Sequence, residues 1–261
     1  MKEKVQLYVN SSKLEAEHLA AAIKDALVSN GFTIVEKNGD IVIGFGGDGT
    51  LLHFLRQNYY NVHAKYIGIN CGTLGFLQNF NVDDANNFVR SIPLFIEQQL
   101  RFIEIEIEYC GNSIFFKALN EFIIQDENDK TFRTTINISN EFLENYVGTG
   151  MIFSTPTGST ALNLSAGGCI VHPDIEAIQV TPREAIANSK MHCLSKSICI
   201  PKGFDITLFP TSTDTIKIYS DGEKVYNGKY DKIRVCYSNN CLLKLTNKQD
   251  NFIKTIREKL I

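Results

Sequence analysis

Two kinds of residue in this sequence could do chemistry: a carboxylate set among glycines, and a dense run of small hydroxyl residues. The first is Gly46-Gly47-Asp48-Gly49-Thr50. It follows the apolar run Ile41-Val42-Ile43-Gly44-Phe45 and leads into Leu51, Leu52 and Leu55. That order reads as a turn carried from a buried strand to the start of an amphipathic helix. Glycine there lets backbone N–H groups approach phosphate oxygens without a Cβ between them, and the helix dipole favours negative charge. Asp48 runs against that logic, because a carboxylate repels an anionic ligand. Holding Mg2+ or taking a proton from an attacking hydroxyl would give it a use; the plain alternative is an N-cap.

The second is Ser154-Thr155-Pro156-Thr157-Gly158-Ser159-Thr160-Ala161-Leu162-Asn163-Leu164-Ser165-Ala166-Gly167-Gly168. A strand ends at Ser154, the residues to Ser159 are small, polar or turn-forming, and a short helix stops at Gly167-Gly168. Backbone and hydroxyls exposed at a helix N-terminus suit phosphate or adenine, and no plain structural reason demands so dense a cluster. Asn120-Glu121 lies between the apolar runs Phe115–Leu119 and Phe122–Ile124. Buried, this amide and carboxylate need partners, which a ribose diol and a base edge would supply; the alternative is a strand-edge turn with both side chains in water. In Leu74-Gly75-Phe76-Leu77, Gly75 permits close approach and Phe76 offers a face for a planar ligand, with ordinary loop packing as the alternative reading.

The elements that must position these groups fall into two patterns. The first third alternates strand and helix: a strand over Val5–Val9, then a helix with Leu14, His18, Leu19, Ala22, Ile23, Ala26 and Leu27 on one face and a stop at Asn30-Gly31. Strands follow at Thr33–Val35, Ile41–Phe45 and Tyr66–Asn70, the last ending in the loop Cys71-Gly72-Thr73. Such alternation implies a parallel sheet with helices on its faces and ligands at the carboxyl ends of its strands. From Arg101 to Tyr109 apolar residues interleave with Glu104, Glu106 and Glu108, Cys110-Gly111-Asn112 turns, and Ser113–Lys117 returns. Further short strands at 122–124, 134–138, 152–154, 198–200, 206–209, 216–219 and 233–237 argue for an antiparallel β domain. Asp126–Lys130 reads as a solvated loop. Phe252, Ile253, Ile256 and Leu260 sit at helical spacing in the run from Gln249, a face that must be buried, most naturally on the α/β domain. The expected layout is an α/β domain over 1–95, a β-rich domain over 96–245, and a final helix over 246–261 returning to the first.

With 261 residues, 44% of them apolar and 21% charged, the chain has an ordinary globular composition. A net charge of −3 gives no electrostatic case for nucleic acid or an anionic membrane. No apolar stretch approaches a membrane span and no signal-like region opens the chain, so a cytoplasmic protein is expected. The seven cysteines form no CxxC pair, which argues against a disulfide framework. Cys169 and His172, with His192 and Cys193, match no common zinc module.

Taken together, these motifs resemble the NAD kinase (ATP-NAD kinase) family. The resemblance rests on Gly46–Thr50 after an apolar strand, Gly68-Ile69-Asn70-Cys71-Gly72-Thr73-Leu74-Gly75-Phe76-Leu77, Leu119-Asn120-Glu121, the Ser154–Gly168 run continuing to His172-Pro173, and Asp221-Gly222. The glycine loop alone is shared with diacylglycerol and sphingosine kinases; Asn120-Glu121 and Thr155–Ala161 separate this chain from them. The resemblance implies a Rossmann-like N-terminal domain, a β-rich C-terminal domain and a final helix packing back on the first. It implies transfer of the terminal phosphate of ATP to the 2′-hydroxyl of the adenosine ribose of NAD, with Mg2+ neutralising the polyphosphate, in a homodimer or homotetramer. It implies Asp48 as general base, the backbone of Gly46, Gly47, Gly49 and Thr50 on ATP phosphates, and Phe76 in the pocket. Asn120 and Glu121 would take adenine and ribose, Thr160, Ala161 and Ser165 would meet a base, and Asp221 matches a family acidic position. The chain departs from the family at Thr149 and Leu162, where an Asp and a Tyr are usual, and both positions belong to the nicotinamide end. Retained activity with an altered grip on the nicotinamide riboside half is the expectation.

Overall fold

The computed structural model describes residues 3–10, 14–57, 61–72, 75–78, 80–186, 193–211, 215–247 and 252–261. Of the residues singled out above, Thr73, Leu74, His192 and Gln249 lie outside them. The chain divides into two compact units, one of residues 1–100 with 241–261 and one of residues 101–240.

In the first unit the elements are β1 (Lys4–Val9), α1 (Leu14–Ser29), β2 (Thr33–Val35), β3 (Ile41–Gly46), α2 (Asp48–Gln57), β4 (Lys65–Asn70) and α3 (Ala85–Ser91). The strands run parallel in the order β2-β1-β3-β4. Every residue of β3 is buried, as expected of a central strand covered on both faces. Its core joins Ile41, Ile43 and Phe45 to Ile67 and Ile69 of β4 and Ile23 and Leu27 of α1. The buried face of α1 differs from the expected one: it is Ala16, Ala20, Ile23, Ala26 and Leu27, while Leu14 is 73% exposed and His18 and Ala22 face water. The buried residues follow the i, i+4, i+7 spacing of a single helical stripe, which passes through Ala16 and Ala20 rather than Leu14 and His18. At its end Asn30 and Gly31 donate to the carbonyls of Ala26 and Val28, closing the helix at the expected stop.

The second unit is built of β5 (Ile96–Tyr109, its first residues in the first unit), β6 (Asn112–Ala118), β7 (Glu121–Asp126), β8 (Phe132–Ile138), β9 (Glu141–Gly148), β10 (Gly150–Ser154), α4 (Leu162–Ser165), β11 (Ala177–Arg183), β12 (Ile198–Pro201), β13 (Ile206–Pro210), β14 (Ile216–Ser220), β15 (Glu223–Gly228) and β16 (Lys232–Thr246). A 3-10 turn over Thr157–Thr160 precedes α4. One sheet runs β16-β13-β8-β9 with the β5–β6 hairpin on β16; the other runs β12-β11-β10-β7-β14-β15, and the pairings are antiparallel. Their inner faces share a core that includes Ile105, Phe122, Ile124, Tyr146, Phe153, Ile218 and Val235.

β9, β11 and β15 were not expected as strands. β11 carries Pro182 and the buried polar residues Gln179 and Thr181, a composition that argues against a central strand. Asp126 is also unlike its sequence reading: it is buried, and its Oδ1 accepts from the N–H groups of Asn128 and Lys130. The stretch is a turn organised around a carboxylate rather than a wholly solvated loop.

From Cys241 onward β16 belongs to the first unit, where Leu243 and Lys244 pair in parallel with Lys65 and Tyr66. α5 (Phe252–Leu260) follows. The expected burial of its apolar face is only partial: Phe252 and Ile256 are half-buried, none of its residues is fully buried, and Ile253 is 63% exposed.

Candidate active site

The carboxyl end of β3 delivers the glycine turn directly to α2. Asp48 is the first residue of that helix, so it is not an N-cap. Its carboxylate reaches away from its own helix: Oδ2 accepts from Phe76 N at 2.8 Å, and Oδ1 accepts from Leu77 N and Gln78 N, each at 3.0 Å. Gly75 is required by this arrangement, because a Cβ there would run into Asp48 Oδ1. Thr50 ties the turn together, its hydroxyl accepting from Gly47 N at 3.4 Å and from Asn10 Nδ2 at 3.1 Å. By contrast, a Cβ at Gly47 or Gly49 would meet nothing within 4 Å, so the loop stands open on that side.

Phe76 belongs to the same cluster. Its ring meets Phe252 of α5 at a centroid distance of 6.3 Å, and its carbonyl accepts from Lys244 Nζ at 3.4 Å. Lys244 is a buried lysine that sequence reading passed over, although it interrupts the apolar run Leu242–Leu245. Gln78, wholly buried and with both amide atoms unpartnered, was passed over too.

In the second unit a second carboxylate uses the same device. Asp221 Oδ2 accepts from Leu119 N at 2.9 Å, and Oδ1 accepts from Asn120 N at 2.7 Å and Glu121 N at 3.1 Å. Asp221 is buried and takes a left-handed φ of 47°. It thereby fixes the backbone on which Asn120 and Glu121 stand. Glu121 is itself buried, which rules out the strand-edge reading for this residue, and its Oε2 has no partner. Burial first, and the charge of Asp221 second, push its carboxyl up to about 8.

The hydroxyl run divides by direction. Ser154, Thr155, Ser159 and Asn163 point inward and are buried. Thr155 Oγ1 donates to Leu119 O and accepts from Gly158 N, and Ser159 Oγ accepts from Val171 N at 3.0 Å. Asn163 Oδ1 accepts from Thr181 Oγ1 at 2.6 Å, and its Nδ2 donates to Gln179. The cluster therefore has a structural reason after all: it satisfies a buried polar layer next to Asn120. Gly158 belongs to that layer, since a Cβ there would collide with the Asn120 carbonyl. Thr160 and Ala161 are half-buried, and Leu162 and Ser165 are exposed. Thr149 lies apart from this layer, its hydroxyl donating to Arg183 O at 3.3 Å. Neither the described residues as a whole nor this unit hold a group of three His, Cys, Asp or Glu side chains suited to a metal ion. All seven cysteines are free thiols, and among the described residues no helix is long and apolar enough to cross a membrane.

A parallel sheet with a glycine turn at a helix N-terminus, followed in the chain by an antiparallel β unit with a buried carboxylate pair, defines an α/β-plus-β protein whose turn is suited to an anionic ligand. Residues 5–99 match the ATP-NAD kinase N-terminal domain and residues 119–245 the ATP-NAD kinase C-terminal domain. The chain is 32% identical over 211 residues to NAD kinase 1 of Bacillus anthracis, covering 79% of each chain. It is 33% identical over 216 residues to the NAD kinase of Streptococcus pneumoniae (strain Hungary19A-6), covering 81% of this chain and 79% of that one. The chain belongs to the ATP-NAD kinase family. Two solved structures share its fold. Yeast NADH kinase complexed with NADH matches at a TM-score of 0.83 with 21% identity, over 99% of this chain and 87% of that one. An NAD kinase from Archaeoglobus fulgidus in complex with ATP matches at 0.77 with 19% identity, over 99% of both.

Proposed function

We propose that this protein is an NAD kinase in which Asp48 is the general base of phosphoryl transfer from ATP to the 2′-hydroxyl of the adenosine ribose of NAD, giving NADP. The observation that carries the role of Asp48 is the way its carboxylate is held. Two oxygens offer about four acceptor sites. Oδ1 takes two N–H groups and Oδ2 one, which leaves capacity on Oδ2 for a substrate hydroxyl. Three backbone donors also fix its position, and in phosphoryl transfer positioning and charge neutralisation supply most of the rate.

The turn at Gly46, Gly47 and Gly49, open at Gly47 and Gly49, would bind the phosphates of ATP, with Thr50 packed on Gly46 to hold the turn and Phe76 lining the pocket. Asn120 and Glu121 would bind adenine and ribose, and Thr160, Ala161 and Ser165 would meet a base. Asp221 acts behind Asn120 and Glu121 rather than on the ligand. Thr149 and Leu162 would border the nicotinamide half and loosen its grip. Mg2+ fits a site in which phosphate oxygens and water supply most ligands, since Asp48 is mostly occupied by N–H groups; when bound, the ion neutralises polyphosphate charge. A cytoplasmic homo-oligomer, dimer or tetramer, is the setting this reading implies, in keeping with seven free thiols.

The test is formation of NADP from NAD, ATP and Mg2+, read with an NADP-specific dehydrogenase. Turnover supports the reading. NAD binding without turnover would make the protein a dinucleotide sensor instead.

A further inference from the structure

α5 packs lightly. Surface helices owe their position to the apolar face they cover, and here that face is only half-buried, at Phe252 and Ile256, while Leu260 is exposed. What the helix does deliver is Lys259. Its Nζ lies 3.9 Å from Asp48 Oδ2 and 5.0 Å from the centre of the Phe76 ring. Phe252, seven residues earlier and so on the same face, meets that ring too. Phe76 is thus held through its N–H by Asp48, through its carbonyl by Lys244, and through its ring by both α5 residues.

We propose that Lys259 is a positioning residue of the phosphoryl-transfer centre: its ammonium group orients Asp48 Oδ2 and offsets its charge, so that the phosphates of the donor can occupy the glycine turn beside it. The inference rests on the kinase reading of that turn. A carboxylate at the mouth of an anion site repels its ligand, and Lys259 is the cation paired with that carboxylate. The 3.9 Å separation is longer than a hydrogen bond, and an ammonium on a flexible stem carries three donors. One can face Asp48 while another meets a phosphate oxygen. The pair is partly exposed, so it adds little to stability, and its use must be sought in binding.

Lys259→Met, Lys259→Arg and Lys254→Met, the last on an exposed part of the same helix, separate the possibilities. The readouts are the dissociation constant of ATP with Mg2+ by calorimetry, KM for each substrate, kcat and the thermal midpoint. Lys259→Met is expected to weaken ATP binding about tenfold, the size of one charge-assisted hydrogen bond. KM for NAD should stay within about twofold and the midpoint should not move; Lys259→Arg should recover most of the loss and Lys254→Met should match the wild type. ATP binding within about twofold of wild type in Lys259→Met overturns the proposal. So does an equal loss for ATP and NAD with a falling midpoint, which would mark α5 as packing only. Absence of turnover in the wild-type protein would defeat the kinase reading, while the calorimetric arm still decides the role of Lys259.

Discussion

Asp48 and Asp221 meet the chain in the same way and serve different ends. Each accepts hydrogen bonds from three consecutive backbone N–H groups, residues 76–78 for Asp48 and residues 119–121 for Asp221. Asp48 stays partly open, with a lysine ammonium beside Oδ2. Asp221 is buried, with a second carboxylate, Glu121, on the strand it organises. A carboxylate clamped by backbone donors is rigid in either place. On the proposed reading, access and neighbouring charge decide whether the rigid group reacts or merely holds others still.

The comparison can be broken most sharply at Asp48. Asp48→Asn should lower kcat by about a hundredfold or more, the usual contribution of a general base. A variant keeping a tenth of wild-type kcat would remove Asp48 from that role. Asp221→Ala should act on stability instead. Leaving two buried N–H groups and a half-buried one without an acceptor costs about 3 kcal/mol, measured by urea unfolding. An unchanged unfolding free energy would show that the clamp is dispensable.

Two glycines refine the contrast. Gly158→Ala forces a Cβ onto the Asn120 carbonyl and should cost about 1–3 kcal/mol, as overpacking does. Gly49→Ala meets no protein atom, so it should leave stability nearly unchanged and weaken only ATP binding. Equal destabilisation by both, in the same unfolding assay, would contradict the open-loop reading.

Glu121 supplies a dependence on pH. Its carboxyl is raised to about 8 in the folded chain, against about 4.3 unfolded. The folded protein therefore binds the extra proton between those values, and the contribution of Glu121 weakens as pH rises through that window. The stability of wild type relative to Glu121→Gln should fall from pH 5 to pH 8; a flat difference would mean that the carboxyl titrates normally. The smallest effect is expected at Leu162, which is exposed: Leu162→Tyr should change KM for NAD by less than about tenfold and leave ATP binding alone.

How much of this was legible follows from where each signal lies. The glycine turn could be read because strand, turn and helix start are contiguous in the chain. The hydroxyl run was legible as a special segment, but not its division into an inner layer and an outer rim, because that division depends on β11, whose Gln179, Thr181 and Pro182 disguise a central strand. The two clamps were not legible at all: 28 residues separate Asp48 from the nearest of its donors, and 100 separate Asp221 from the nearest of its own. Lys259 shares a helical face with Phe252, yet its pairing with Asp48 exists only in the folded chain.

The most direct test is a single turnover: enzyme loaded with NAD, mixed with ATP and Mg2+, and quenched for NADP, in Asp48→Asn and Asp221→Asn side by side. The account predicts NADP formation at least about a hundredfold slower in Asp48→Asn, and near the wild-type rate in whatever fraction of Asp221→Asn is folded and loaded. Equal rates in the two variants would contradict it.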